Sequence, residues 1–175
     1  MTSAIPFPSP PSDGGDRGLE AAFHHAGHAV AAHLSKYHAL ALPLRIDAYG
    51  SGEVTAALSR RKLLAAEKIA TAAARVDPEV AESIAVILCA GLASEQLAAA
   101  RSVAVTPDPA RSAGDLKMAR DELRLAGLPD DTRPHEDAAA ALLALHWLRV
   151  QAVAERLAVA EELTPAEISA LLDSF

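Results

Sequence analysis

Apolar and polar positions along this chain repeat with a helical period over most of its length. They alternate with a strand period in one place only. Residues 1–16 (MTSAIPFPSPPSDGGD) show neither period and are crowded with Pro, Ser and Gly, which predicts a flexible leader before a single folded domain over 17–175. From Leu19 to His38 the spacing is helical, with Phe23, Val30 and Leu34 set among alanines. Leu42, Leu44 and Ile46 then alternate with Pro43, Arg45 and Asp47, a strand signal. Tyr49-Gly50-Ser51-Gly52 has turn chemistry, and Glu53-Val54-Thr55 is expected to return as a second short strand. Residues 59–76 read as a basic-fronted amphipathic helix. Asp77-Pro78-Glu79 opens another, over 78–101, because Asp caps a helix start and Pro suits its first position. Thr106-Pro107-Asp108-Pro109 forces a loop. Ser112 is expected to cap a helix that runs to Leu125 and stops at Gly127. A long helix follows over 135–162, and Thr164-Pro165-Ala166-Glu167 is a capping box for a last short one. The pattern predicts a mainly α fold with a small two- or three-stranded β element.

Composition sharpens this. Alanine supplies roughly a quarter of the 175 residues and aromatics 3%. Ala is the best helix former and lets helices pack closely, whereas sandwiches and barrels want β-branched and aromatic residues. The charge, 16 basic against 23 acidic residues or −7, disfavours duplex nucleic acid and anionic membrane surfaces. A single cysteine, Cys89, excludes an intramolecular disulfide and is expected to be an inert buried thiol. The longest apolar run, Ile84–Ala93, falls short of the roughly 20 residues of a membrane span, and no signal peptide is read at the N-terminus. The expectation is a cytoplasmic protein with no membrane span and no nucleic-acid partner.

The candidate chemistry lies in His24-His25-Ala26-Gly27-His28. On a helix, positions 24 and 28 share a face, and two imidazoles so spaced reach one Zn²⁺ at about 2.0–2.1 Å. By itself such a pair also arises as two ordinary helix histidines. Glu20, one turn earlier, is read as an i, i+4 surface contact of His24. His33, His38, His135 and His146 are read as surface or satisfied core residues, and Trp147 as a core anchor.

Four segments in order extend the pattern. The stretch AAFHHAGHAVAAHL resembles the HEAGHA segment of the FtsH-type zinc peptidases, the proteolytic domain of membrane-anchored AAA proteases. Residues 90–97 (AGLASEQL) resemble that family's GGRAAEEL. Residues 112–119 (SAGDLKMA) resemble its segment around Asn-Asp-Leu. Residues 138–172, with Leu-Thr-Pro-Ala-Glu-Ile, resemble its last helical pair. The resemblance implies a zincin-like helical metallopeptidase domain in which His24, His28 and Asp115 hold zinc. Glu95 falls on the first Glu of that family's GRAAEEL; on a buried helix it would need a partner, such as a ligand histidine donating to it, and the alternative is a partly exposed helix acid. Asp115, in the first turn after Ser112, suits its ligand role because helix N-termini favour an ionised carboxylate.

One departure bears on activity. The family has Glu directly after the first His, where it acts as general base; this chain has His25. Three readings of His25 stand open: a plain loss of the base, an imperfect substitute for it, or a group that binds something else. It lies about 100° around the helix from His24, away from the position of a fourth ligand. No G-x-x-x-x-G-K-[ST] sequence is present, so any ATPase would be a separate partner. The resemblance therefore implies a metallopeptidase domain with peptide or unfolded protein as substrate and hydrolysis weak or lost. The alternative is a catalytically inactive pseudo-peptidase used for peptide binding, regulation or oligomerisation. Self-assembly carries over from the family's hexameric rings as a further expectation.

Overall fold

Seven α-helices dominate the computed structural model, which describes residues 14–49 and 56–175. The expected leader over 1–13, the Gly50–Gly52 turn and the 53–55 strand lie outside the described residues. Helix α1 spans Gly14–Leu34, so residues 14–16, grouped with the leader from composition, form its first turn. The remaining helices are α2 (Arg60–Ala65), α3 (Pro78–Ala100), α4 (Ala113–Leu125), α5 (Arg133–Leu145), α6 (Trp147–Ala160) and α7 (Pro165–Leu172).

Helix α3 is the central element. Asp77 caps it by accepting from the backbone N–H groups of Glu79 and Val80, with Pro78 at the first position. It packs against α1, α4 and α5, while α1 also packs on α6. By length and composition α3 is apolar enough to cross a membrane, and 67% of its most apolar window is buried inside this fold. Small residues set the closeness of the α1–α3 pair. Ala22, Ala26 and Ala29 of α1 and Ala85, Ala90 and Ala93 of α3 belong to one core, all of them buried. A Cβ at Gly27 would run into the Ala90 carbonyl oxygen and lie 2.7 Å from Ser94 Cβ. The remaining core is aliphatic: Leu123, Leu143, Leu157, Ile168 and Leu172 have no exposure. Each contributes about 1.5–3 kcal/mol by leaving water. Phe23 stacks on Trp147 at 5.7 Å, which makes the tryptophan the anchor expected of it.

Three expectations are corrected. The single β element is two separate antiparallel ladders. Strand β1 (His38–Leu40) pairs with β3 (Ala56–Leu58), and β2 (Leu44–Arg45) pairs with β4 (Glu162–Leu163). Residues 59–76 form only the short α2, a left-handed turn at Glu67 (φ 57°) and a 3-10 turn over Ala72–Val76. Two lysines of that stretch are committed elsewhere. The Lys62 ammonium donates to the carbonyls of Ala32, His33 and Ser35, closing the end of α1, and Lys68 pairs with Asp77 and Glu79. The long helix over 135–162 is broken at His146 into α5 and α6, one seated on α3 and the other on α1. The last helix has the capping box expected at Thr164 and Glu167.

Candidate metal centre

The site is built where α1, α3 and the start of α4 meet. One turn separates His24 from His28, so both rings project from α1 toward α3. They find room because residue 91 is glycine. A Cβ there would lie 2.5 Å from His24 Cε1 and 2.5 Å from His28 Nε2. Asp115 approaches from the first turn of α4. Ser112 precedes that turn, yet its hydroxyl caps nothing and is buried without a partner, contrary to expectation.

Three ligand atoms converge. His24 Nε2 and His28 Nε2 are 3.0 Å apart. Asp115 Oδ2 lies 3.2 Å from the first and 3.6 Å from the second. All three residues are buried, and these are the residues that could hold a metal ion among those described. The far side of each ring is fixed. His24 Nδ1–H donates to Glu95 Oε1 at 2.7 Å, and His28 Nδ1–H donates to the Ile87 carbonyl at 2.7 Å. A carbonyl only accepts, so the Nδ1 proton of His28 is required; the Glu95 carboxylate makes the same demand of His24. With both protons on Nδ1, the two Nε2 lone pairs and a carboxylate oxygen point at one another. Such a set repels itself unless a positive charge sits within it, either a metal ion or a proton on one Nε2. The donor set, two imidazoles and one carboxylate with oriented outer partners, fits a metal ion.

Charges follow this geometry. Burial opposes ionisation of His24, but the hydrogen bonds and charges of Asp115 and Glu95 outweigh it and raise its pKa above 6.5. Burial also pushes Asp115 up. The His24 and His28 rings beside it, through hydrogen bonding and charge once an Nε2 carries a proton, more than reverse this and hold its carboxyl well below the usual range.

Glu95 has no exposure and collects three donors. Its Oε1 accepts from His24 and, at 2.9 Å, from the Tyr49 hydroxyl; its Oε2 accepts from the Asp108 backbone N–H at 2.8 Å. Of the two readings open for Glu95, the buried acid that accepts from His24 is the one this geometry matches. Tyr49 and the Asp108 amide were not legible as site groups: Tyr49 reads as turn chemistry, and a backbone N–H leaves no mark in a sequence. Burial and the Glu95 charge keep the Tyr49 phenol protonated far above its ordinary range. Glu20 departs from expectation: its Oε1 accepts from the Thr106 backbone at 3.1 Å, tying α1 to the α3–α4 loop.

His25 differs from its neighbours. It is buried, 6% exposed, and neither ring nitrogen has a well-formed hydrogen bond; the Arg45 backbone offers it only a weak contact. Its ring meets His24 edge-on at 5.6 Å and Tyr49 at 6.3 Å. Burial, then the charges of His24 and His28, lower its pKa to about 3, so it is neutral at pH 7. The other histidines stay outside the site. His33 lies 3.4 Å from Asp173, and His38 sits in β1 beside Ser35 and Ser83. Cys89 is buried and its thiol is pushed up to about 12 by that burial, as an inert core thiol should be. A cavity of about 470 Å³ lies apart from the three ligands, between β3, the 70–72 turn and the first half of α3.

Comparison with protein-family models, with curated proteins and with solved structures finds no match to this chain.

Proposed function

We propose that the chain is a zinc-binding domain of the FtsH-type metallopeptidase class, whose peptide-bond hydrolysis is weak or lost. The observation that carries this reading is the convergence of His24 Nε2, His28 Nε2 and Asp115 Oδ2, with both rings oriented from behind by Glu95 and the Ile87 carbonyl. Zinc bound there would supply a Lewis acid and an acidified water. The chain's own residues do the rest. His24 and His28 bind through Nε2, Asp115 adds a negative charge, and Glu95 holds the His24 proton on Nδ1. His25 occupies the position of the general base. A neutral imidazole has one acceptor nitrogen and no charge, and losing a general base costs about 10²–10⁴ in rate. The substrate expected is a flexible peptide or unfolded protein segment, in a cytoplasmic protein with no nucleic-acid partner and no membrane span. A separate ATPase and self-assembly belong to the same proposal.

The burial of His25 without a well-formed hydrogen bond favours a second reading, an inactive pseudo-peptidase that keeps the metal to shape a peptide-binding, regulatory or oligomerisation module. Two measurements separate the readings. Metal content by plasma mass spectrometry on untagged protein should give near one zinc per chain, lost in His24→Ala and in Asp115→Ala. Absence of metal after zinc is added and dialysed away would overturn both readings. His25→Glu should raise casein hydrolysis by about 10²–10⁴ if only the base is missing. A zinc-loaded His25→Glu protein that stays inactive decides for the pseudo-peptidase.

A further inference from the structure

Glu95 joins three parts of the chain that are distant in sequence: α1 through His24, the turn ending at Tyr49, and the α3–α4 loop through the Asp108 amide. A single carboxylate oxygen, Oε1, serves both His24 and Tyr49. The phenol therefore limits how far that oxygen can move, and with it the tilt of the His24 ring. Tyr49 is itself held on two sides. Its ring lies 5.0 Å from the His24 ring, and the Arg111 guanidinium stacks on it at 4.7 Å. Arg111 also donates to the Tyr49 carbonyl at 3.4 Å and pairs with Asp108 at 3.2 Å. The Asp108 carboxylate accepts from the Ala110 N–H at 3.0 Å, closing the loop on itself. The result is a latch. The Tyr49 turn and the α3–α4 loop are fastened to each other by Arg111, and both are fastened to the metal ligand by Glu95.

We infer that Tyr49 is a positioning residue of the metal centre, and that metal binding at His24 and the docking of Tyr49 against the α3–α4 loop are coupled. The inference rests on the metal reading above. Coupling runs in both directions, because a contact that favours the ligating pose of His24 is favoured in turn when that pose is occupied. Outer partners of this kind change metal affinity about 10–100-fold.

The test uses the full chain and Zn²⁺, with affinity read by competition against a chromophoric chelator. Tyr49→Phe keeps the ring and its stacking on Arg111 and removes only the hydroxyl. It should weaken zinc binding about 10-fold at unchanged stoichiometry, with Glu95→Gln weakened as much or more. The visible spectrum of the Co²⁺-loaded protein should shift in Tyr49→Phe, a change in ligand geometry that lost packing alone does not produce. In the parent, added zinc should slow hydrogen exchange at the Asp108 amide, and slow it less in Tyr49→Phe. Arg111→Gln, a change at a half-exposed side chain, should weaken binding in the same direction and keeps the test open if Tyr49→Phe folds poorly. Parent-like zinc affinity and cobalt spectrum in Tyr49→Phe would overturn the inference and leave the metal reading standing. A parent that binds no zinc would overturn both.

Discussion

Adjacent histidines on one helix meet opposite fates here. His24 and His28 face α3 and have every ring nitrogen committed, Nδ1 to Glu95 or the Ile87 carbonyl and Nε2 to the shared centre. His25, one residue along, is equally buried and has only a weak contact with the Arg45 backbone in place of such bonds. The helix and the depth are the same, so neither accounts for the difference. It comes from what α3 and α4 present. They offer a carboxylate, a carbonyl and a second carboxylate to one face of α1, and nothing to hydrogen-bond the other. A buried polar group without a well-formed hydrogen bond costs about 1–3 kcal/mol, so His25 weakens the fold where its neighbours are compensated. Buried groups of this kind persist at functional positions or as relics of them, and position 25 is where the resemblance puts the chemistry.

The comparison breaks most severely at Gly91. A methyl group there meets His24 Cε1 and His28 Nε2 at 2.5 Å, and both rings are confined by their outer partners. Gly91→Ala is therefore expected to weaken zinc binding at least 100-fold. It should also destabilise the metal-free chain by about 1–3 kcal/mol, the usual cost of overpacking. Metal titration beside thermal unfolding checks both. Binding at parent affinity would mean that the rings are free to retreat, and that their fixed orientation is not what defines the site.

How much of this was legible depended on whether the signal was local. The i, i+4 spacing of His24 and His28, the Asp77 cap with Pro78, and the Thr164–Glu167 box each lie within one helical turn of sequence, and each forms. Asp115 and Glu95 were found through ordered segment resemblance, since nothing about an isolated acid says which ring it will face. Three misreadings of the secondary structure share one cause. Residues 59–76 carry a helical period, but Lys62 and Lys68 are drawn to the end of α1 and the start of α3. The β2–β4 ladder joins residues more than a hundred positions apart. The break at His146 has no Gly or Pro beside it and follows from α5 and α6 packing on different helices. Tertiary packing decided each of these, and a local period cannot report it.

His25→Leu asks whether the weakly bonded ring is a true cost. Leucine is close to histidine in size, favours helix and has no polar atom to satisfy. The metal-free variant should gain about 1–2 kcal/mol in urea unfolding at pH 7, with no loss of zinc affinity. A loss of stability instead would mean that a ring nitrogen of His25 is well bonded in solution, and the contrast with His24 would disappear.

The same contrast predicts a gentler effect with pH. His25 titrates near 3 in the folded chain and near 6.5 when unfolded. Between these values the unfolded chain binds the extra proton, so stability falls as pH drops through that window, by at most about 1.4 kcal/mol per unit from this residue. His38, lowered to about 4 by burial, acts in the same sense. His24 acts in the opposite sense. Its folded pKa is raised, so without metal its contribution is complete below about 6.5 and is lost as pH rises through the folded value. Asp115, held low, contributes above about 4 and loses that contribution in acid. Unfolding free energies of metal-free parent and His25→Leu, measured from pH 7 to pH 4, should diverge. The parent should lose more stability per unit, and the variant should keep the slopes of His24, His33, His38 and the carboxylates. Parallel curves would show that His25 carries its proton equally in both states. Its burial without a well-formed hydrogen bond would then not distinguish it from the two ligands beside it.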